Sequence, residues 1–513
     1  MPKNTLLLVL SAIAAVFPPP ILQEESPIER PAQKNEAAAL AAGEDPLERL
    51  RERSDYATLD KRAVGALAVL ARARWPKELA GFVYLGVEQF SAAGTSHWIS
   101  IWSHRKTGLE FALIPGERFQ MGSPQAEADR MPDEGQHWVT LDPFLIARTE
   151  CTQEAWMELT KEALPQNSML DDALMLPTAG LSPVEVEAWC KRAGLMLPTE
   201  AQWEFMCRAG MATAWASGAD KGDLQEFANL GSAECPEDWR KIPGIVEAWH
   251  DGYGAKTAPV ASYAPNAFGL FDVHGNVSEW TRDHYVSYDV PAQVGTGLRP
   301  GLSGERMARG GNFGGDATTA RSAKRFKCGA GTSPGANKGF GFRPSLDLPF
   351  PISLEGWPAE TFPLPPGFAP TLPSGTESLR FAPGWRDPKT EDFWSYAFVM
   401  WIDEPVPDSA HVGELLNGYY DGILSVFARN AGKDIGSDPV QVKVTRTAPN
   451  MYEAQMHAID AFATFQPIDI RVLVDVIPEA KGPTTVHVRL SPQPKEHRIW
   501  RALEAAIASI EKP

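Results

Sequence analysis

Between Asp251 and Tyr285 the chain reads DGYGAKTAPVASYAPNAFGLFDVHGNVSEWTRDHY, dense in Gly, Asn, Asp and aromatic residues and without regular periodicity. Regular ladders cannot satisfy the backbone groups of such a segment, so side-chain caps, turns or ions must hold it. Hard cations take carboxylate, amide and backbone oxygens that converge from a loop, and calcium is the cofactor this composition argues for. The turn DVHGNVSE alone offers two carboxylates, Asp272 and Glu279, together with backbone carbonyls. The competing reading is that these carboxylates only cap turns and strand ends. His274, inside the turn, reads as a packing or solvent-facing residue, because a hard cation prefers oxygen.

Sulfur has less to offer. Five cysteines, Cys151, Cys190, Cys207, Cys235 and Cys328, lie scattered without a CxxC pair. One or two disulfides with a leftover thiol fit an exported chain, and five buried thiols acting as small hydrophobes fit as well. No Cys or His pair has zinc-ligand spacing. A Ser/His/Asp hydrolase is disfavoured because no GxSxG elbow stands between a strand and a helix. The segment RGGNFGGDATTARSAKR, Arg309 to Arg325, carries no cysteine.

From Leu109 to Pro344 the motifs follow an order that resembles the formylglycine-generating enzymes, the sulfatase-modifying factor family. The run GLEFALIPGERFQMGSPQAEADRMPDEGQHWVTLDPFLIARTECTQEAW is similar to that family's opening strands, Met-Gly-Ser turn and acidic loop. SPVEVEAWCKRAGLMLPTEAQWEFMCRAG is similar to its Cys-containing helix and the Leu-Pro-Thr-Glu run after it, with Met196 as a departure. FANL, the Asp251–Tyr285 block, RGGNF, RSAKR and GFGFRPS complete the order. The resemblance implies an α+β chain whose central domain takes the loop-rich formylglycine-generating-enzyme variant of the C-type lectin fold. It also implies two calcium sets. One is Asn229 and the Leu230 carbonyl with Asp251 and the Tyr253 carbonyl. The other is Asp272 and Glu279 with the carbonyls of Gly275 and Val277.

The same resemblance shows what is missing. The family's oxidases carry a copper-binding cysteine pair after a Gly-Gly-Ser turn, where this chain reads RGGNFGGDATTA. Two soft thiolates are needed to hold Cu(I), so copper-dependent oxidation is not expected. Cys190 and Cys207 coincide with family positions that can be disulfide-bonded, but the residue after GFGFR is Pro344, not a cysteine partner. A sulfoxide synthase of the family takes its iron ligands from a preceding His-bearing helical bundle. Here only His97 and His104 precede Leu109.

Aromatics crowd the domain, among them Trp138, Trp156, Trp203, Trp280 and Tyr285. A loop-built fold needs such residues for its core. Exposed aromatics beside Arg282, Asp283 and Asn312 would instead line a groove. The candidate ligand groove is therefore Trp280, Arg282, Asp283, Arg309, Asn312 and Arg321, open to a protein, peptide or small-molecule ligand.

The positioning elements follow from pattern. Lys3 and the apolar run Leu6–Phe17, stopped by Pro18–Pro20, read as a secretory signal or uncleaved anchor over residues 1–21, placing the protein outside the cell or in the envelope. Residues 22–44 read as a disordered linker and 45–104 as a helical and short-strand extension, with one helix from Asp45 to Arg74. The motif-bearing domain spans 105–347, with helices at Gln153–Leu164, Pro183–Ala193 and Thr199–Arg208 capped by Thr152, Ser182 and Thr199. A Pro-rich linker spans 348–375. Residues 376–513 read as a small α+β domain, an antiparallel sheet with two helices on one face. The formal charge of -17 argues against a general nucleic-acid binder and against docking on anionic membranes. The chain thus reads as an exported, calcium-stabilised binding module, the alternative being a metal-dependent oxidoreductase acting on a protein or thiol substrate.

Overall fold

The computed structural model describes residues 46–512 except 52, 163–173, 243–245, 291, 300, 302–303, 330–338, 351–353, 437–438, 480–481, 496 and 498. The signal and linker expectations for residues 1–44 lie outside the described residues. Among the described residues, no helix is long and apolar enough to cross a membrane.

The expected long N-terminal helix is broken. Asp60 accepts hydrogen bonds from the backbone N–H groups of Arg62 and Ala63, and this cap starts a separate helix, α1 (Lys61–Arg74). Strands β1 (Phe82–Ala92) and β2 (Thr95–His104) pair and continue through β3 (Glu110–Ile114), β6 (Phe144–Ala147) and β11 (Ser345–Asp347) into one antiparallel sheet. The boundary drawn at residues 104–105 therefore runs through a sheet, because Ile101–Ser103 pairs with Glu110–Ala112. A hairpin, β4 (Glu117–Met121) and β5 (His137–Leu141), stands beside it. The third sheet has the order β10 (Phe340–Gly341), β7 (Ser278–His284), β8 (Glu305–Arg309) and β9 (Phe326–Gly329).

Three helices carry the central domain's caps. Helix α2 (Gln153–Thr160) ends earlier than its pattern predicts, with Lys161 in the left-handed region. Helix α3 (Pro183–Ala193) starts in a capping box of Ser182 and Glu185, and α4 (Glu200–Arg208) in one of Thr199 and Gln202. Both boxes satisfy N–H groups that the first turn leaves without partners.

The C-terminal unit is larger than the sequence pattern implied. Its antiparallel sheet has seven strands: β12 (Ala359–Leu364), β13 (Gly375–Phe381), β14 (Tyr396–Ile402), β18 (Thr484–Ser491), β17 (Pro467–Ile477), β16 (Met451–Ile459) and β15 (Val440–Ala448). The Pro-rich segment thus supplies an edge strand, the place where Pro363 costs no ladder bond. The two helices do not share a face. Helix α5 (Ser409–Asn430) packs with Tyr396, Phe398 and Met400, whereas α6 (Ile499–Ala508) packs with Ala397, Val399 and Trp401. Alternation along β14 sends successive side chains to opposite faces, and every residue of that strand is buried. Helix α6 also joins the units: Arg501 donates to the carbonyls of Arg51 and Leu141 and to Asp142.

Glu377, on β13, is fully buried in the apolar layer beneath α5. Burial pushes its carboxyl up to about 8, and the nearby Tyr419 hydroxyl offsets little of this. A raised folded-state value means that the stability contribution is complete below the unfolded value near 4.5 and is lost as pH rises through about 8. Glu377→Gln should therefore remove a slope of about 1.4 kcal/mol per pH unit between these limits, read by urea unfolding at several pH values. Parallel pH profiles for variant and parent would contradict it.

Candidate functional site

The two oxygen sets are tied to each other by one turn. Gly275 has a φ of +78°, and a side chain there would meet the Asn229 carbonyl oxygen at 2.1 Å. The Asn276 N–H donates to that same carbonyl at 2.7 Å. Asn229 donates through Nδ2 to the Lys256 carbonyl and to Asn276 Oδ1, which fixes its amide orientation and leaves Oδ1 buried without a donor. Asp251 accepts from the N–H groups of Tyr253 and Gly254 through Oδ1, and its Oδ2 is likewise buried and unpartnered. Leu230 is buried and Tyr253 is exposed. Two buried acceptors without donors suit a hard cation at this first set.

In the second set, Asp272 accepts from the Ala261 N–H at 2.7 Å through Oδ2, and Oδ1 is buried without a partner. Glu279 is gripped by Arg343, with Nη2 to Oε1 at 2.7 Å, and by the Trp203 indole N–H at 2.7 Å. A residue not singled out from sequence completes the group. Glu150 accepts from the Val277 N–H at 2.9 Å and from Asn276 Nδ2 at 2.7 Å, holding the turn that carries Gly275 and Val277. All three carboxylates are fully buried and face one guanidinium, that of Arg343. Burial first, then Asp272 and Glu279, push the Glu150 carboxyl well above its ordinary range, and burial lifts Asp272 to about 6. This surplus of buried negative charge fits a bound cation.

His274 does not face this charge. Its Nδ1 donates to the Ala320 carbonyl and its Nε2 accepts from the Ala216 N–H, so it pins two loops together as a neutral ring. Burial lowers its pKa to about 4.

The segment after Arg309 is built without sulfur. Gly310 and Gly311 take φ of +97° and +73°, and the following run closes on Asp316. The Asp316 carboxylate accepts from the Thr318 hydroxyl at 2.7 Å and the Thr319 N–H at 3.1 Å. Glu247 caps the same turn at the Ala317 N–H. All five cysteines are buried and unpaired, which decides between the two sequence readings. Burial pushes the Cys207 thiol up to about 12 and the Cys328 thiol up to about 11. A thiol reagent should therefore modify the native protein slowly and label all five cysteines once it is unfolded. Fewer than five labelled thiols under non-reducing denaturation would reveal a disulfide and contradict this arrangement.

The six groove candidates do not form an open surface. Arg309 is buried against Glu204 and donates to the carbonyls of Ala323 and Lys324. Arg321 is buried against Glu127 and Glu134, at 2.7 and 2.8 Å. Asp283 accepts from the N–H groups of Glu200 and Arg299, and Trp280 stacks on Phe340 with its N–H on the Leu181 carbonyl. Only Arg282 and Asn312 retain exposure, Arg282 pairing with Asp347 at 3.0 Å and Asn312 donating to Ser278. The physical reason is general: a loop-built interior leaves carbonyls and carboxylates that guanidinium forks satisfy.

Residues 102–345 match the family model of the sulfatase-modifying factor enzyme 1-like domain. The formylglycine-generating enzyme of Bos taurus is 29% identical over 178 residues, covering 33% of this chain and 44% of that protein. That of Thermomonospora curvata is 27% identical over 258 residues, covering 39% of this chain and 81% of that protein. A Bos taurus relative named inactive C-alpha-formylglycine-generating enzyme 2 is 30% identical over 177 residues, covering 33% and 55%. The chain spans less than half the length of the first of these relatives. Among solved structures, PvdO from Pseudomonas aeruginosa is 26% identical with a TM-score of 0.41, covering 48% of this chain and 98% of that one. With its motif order and loop-built interior, the segment 102–345 is a domain of the sulfatase-modifying factor, or formylglycine-generating enzyme, family in that family's loop-rich C-type lectin-like fold.

Proposed function

We propose that the protein is an exported, calcium-stabilised ligand- or protein-binding member of this family that does not generate formylglycine. The observation that carries this reading is the sulfur-free turn closed by Asp316, with all five cysteines buried and free of disulfides. Holding Cu(I) and activating oxygen requires two adjacent thiolates, whereas burial pushes all five thiols up and opposes their ionisation. Calcium would be held by Asn229 and Asp251 with the carbonyls of Leu230 and Tyr253, and by Asp272 and Glu279 with those of Gly275 and Val277. The ion supplies the positive charge that the buried carboxylates lack. The chain's own residues do the positioning: Glu150 orients the Asn276–Val277 backbone, and Asn276 locks the Asn229 amide. The apolar run Leu6–Phe17 supports export to the cell envelope or beyond.

The second reading, an oxidoreductase of the same family, draws support from the relatives named as enzymes. Copper(I) loading followed by incubation with a cysteine-containing peptide in air separates the two. The expected result is unchanged peptide mass. Repeated turnover to an aldehyde would overturn the binding-module reading.

A further inference from the structure

The hairpin β4–β5 has two dissimilar faces. Phe119 packs toward the core on Phe205, whereas Arg118, Gln120, Trp138 and Thr140 alternate onto the opposite face as cross-strand partners. That face looks toward the C-terminal sheet without touching it throughout. Between them is a cavity of about 250 Å³, bounded by Glu453, Leu473, Asp475, His487 and Arg489 on one side and by Trp138 on the other. A second cavity of about 220 Å³ reaches Gly210–Ala212. The two share Arg118, Gln120, Gln136 and Trp138, and so meet at the indole.

The chemistry of the walls restricts the occupant. Each formal charge on the wall of the larger cavity already has a partner inside the protein. Arg118 holds Glu504 at 3.0 Å, Arg489 holds Asp475, and Lys495 holds Glu453. An ionic ligand would have to break one of these pairs, at a cost that a paired and partly buried charge makes high. Several groups on this wall lack a hydrogen-bond partner among the described residues: the side-chain amides of Gln120, Gln136 and Gln293, the imidazole of His487, the buried Tyr452 hydroxyl and Nε of the Asp475-paired Arg489. Primary amides and imidazole both donate and accept, which suits hydroxyl groups. Trp138 is partly exposed, and the Arg118 guanidinium lies 4.5 Å from its ring centre, fixing the indole in place. A fixed indole offers an apolar plate with a wet edge.

We propose that this interdomain cleft binds a neutral saccharide, its C–H face on Trp138 and its hydroxyls on the amides of Gln120, Gln136 and Gln293. A sugar ring combines an apolar face for the indole with a hydroxyl rim for the amides. The site is separate from the calcium loops, so its failure would leave the calcium reading untouched.

Calorimetric titration of the purified protein with glucose, N-acetylglucosamine, their β-linked dimers, galacturonate and a tetrapeptide tests the proposal. Saturable binding of a neutral sugar is expected, weakened about tenfold or more by Trp138→Ala and by Gln120→Ala. Gln120 is exposed and has no internal partner, so Gln120→Ala keeps the parent's melting temperature and remains informative even where Trp138→Ala unfolds the hairpin. No saturation by any neutral sugar, binding of galacturonate or the peptide alone, or parent-like binding by Gln120→Ala would each overturn the proposal.

Discussion

Arg343→Met should lower the unfolding free energy by about 3–5 kcal/mol, the largest loss expected from any single substitution in the central domain. The guanidinium is fully buried. It donates to both oxygens of Glu279, to the Ala147 carbonyl at 3.0 Å and to the Phe271 carbonyl at 2.8 Å. Removing it leaves Glu279 without a countercharge beside Glu150 and Asp272, and strands two carbonyls. Arg343→Lys should recover only part of the loss, because an ammonium cannot hold two carboxylate oxygens and two carbonyls in one plane. Urea denaturation with an unchanged m-value measures both. A loss below about 1 kcal/mol for the methionine variant would mean that Glu279 is balanced by something other than Arg343.

Calcium removal is the second large effect. A chelator should lower the melting temperature in proportion to occupancy, and at free calcium a thousandfold above the dissociation constant the stabilisation is about 4 kcal/mol. Asp272→Ala should abolish most of the response by removing the unpartnered Oδ1, and Asn229→Ala should weaken the first set through the loss of its buried Oδ1. Magnesium should substitute poorly, because these oxygens converge from irregular loops and not from an octahedral frame. A melting temperature indifferent to chelator, calcium and Asp272→Ala together would contradict the assignment. The Arg343 and calcium effects are coupled: with Arg343 absent, added calcium should stabilise more strongly, since both cations oppose the same carboxylates.

How much of this was legible in the chain depends on range. Ser182 with Glu185, and Thr199 with Gln202, are three residues apart, and a short window identifies both helix starts. The apolar run of β14 and the alternation along β16 are equally local, and the sheet they join is the antiparallel one that the pattern implied. Failures begin where a partner is distant in sequence. Nothing local says that Glu150 belongs with Asn276 and Glu279, or that Arg309 and Arg321 are consumed by Glu204 and Glu134. Read singly, an arginine in a loop suggests a ligand contact. In this interior it neutralises a carboxylate. Strands β12 and β13 carry a weak local signal because of Pro363 and the polar GTESLRF pattern, and pairing within the seven-stranded sheet forms them. The placement of α5 and α6 on opposite faces follows from β14 being buried on both sides, a fact visible in its unbroken apolar run YAFVMWI.

On the proposed reading, calcium holds this domain together and copper plays no part in it. Elemental mass spectrometry of the purified chain, before and after exposure to Cu(I) and desalting, tests it most directly. About two calcium ions per chain and no retained copper are expected. Stoichiometric copper or iron, or a chain free of calcium at saturating supply, would contradict it.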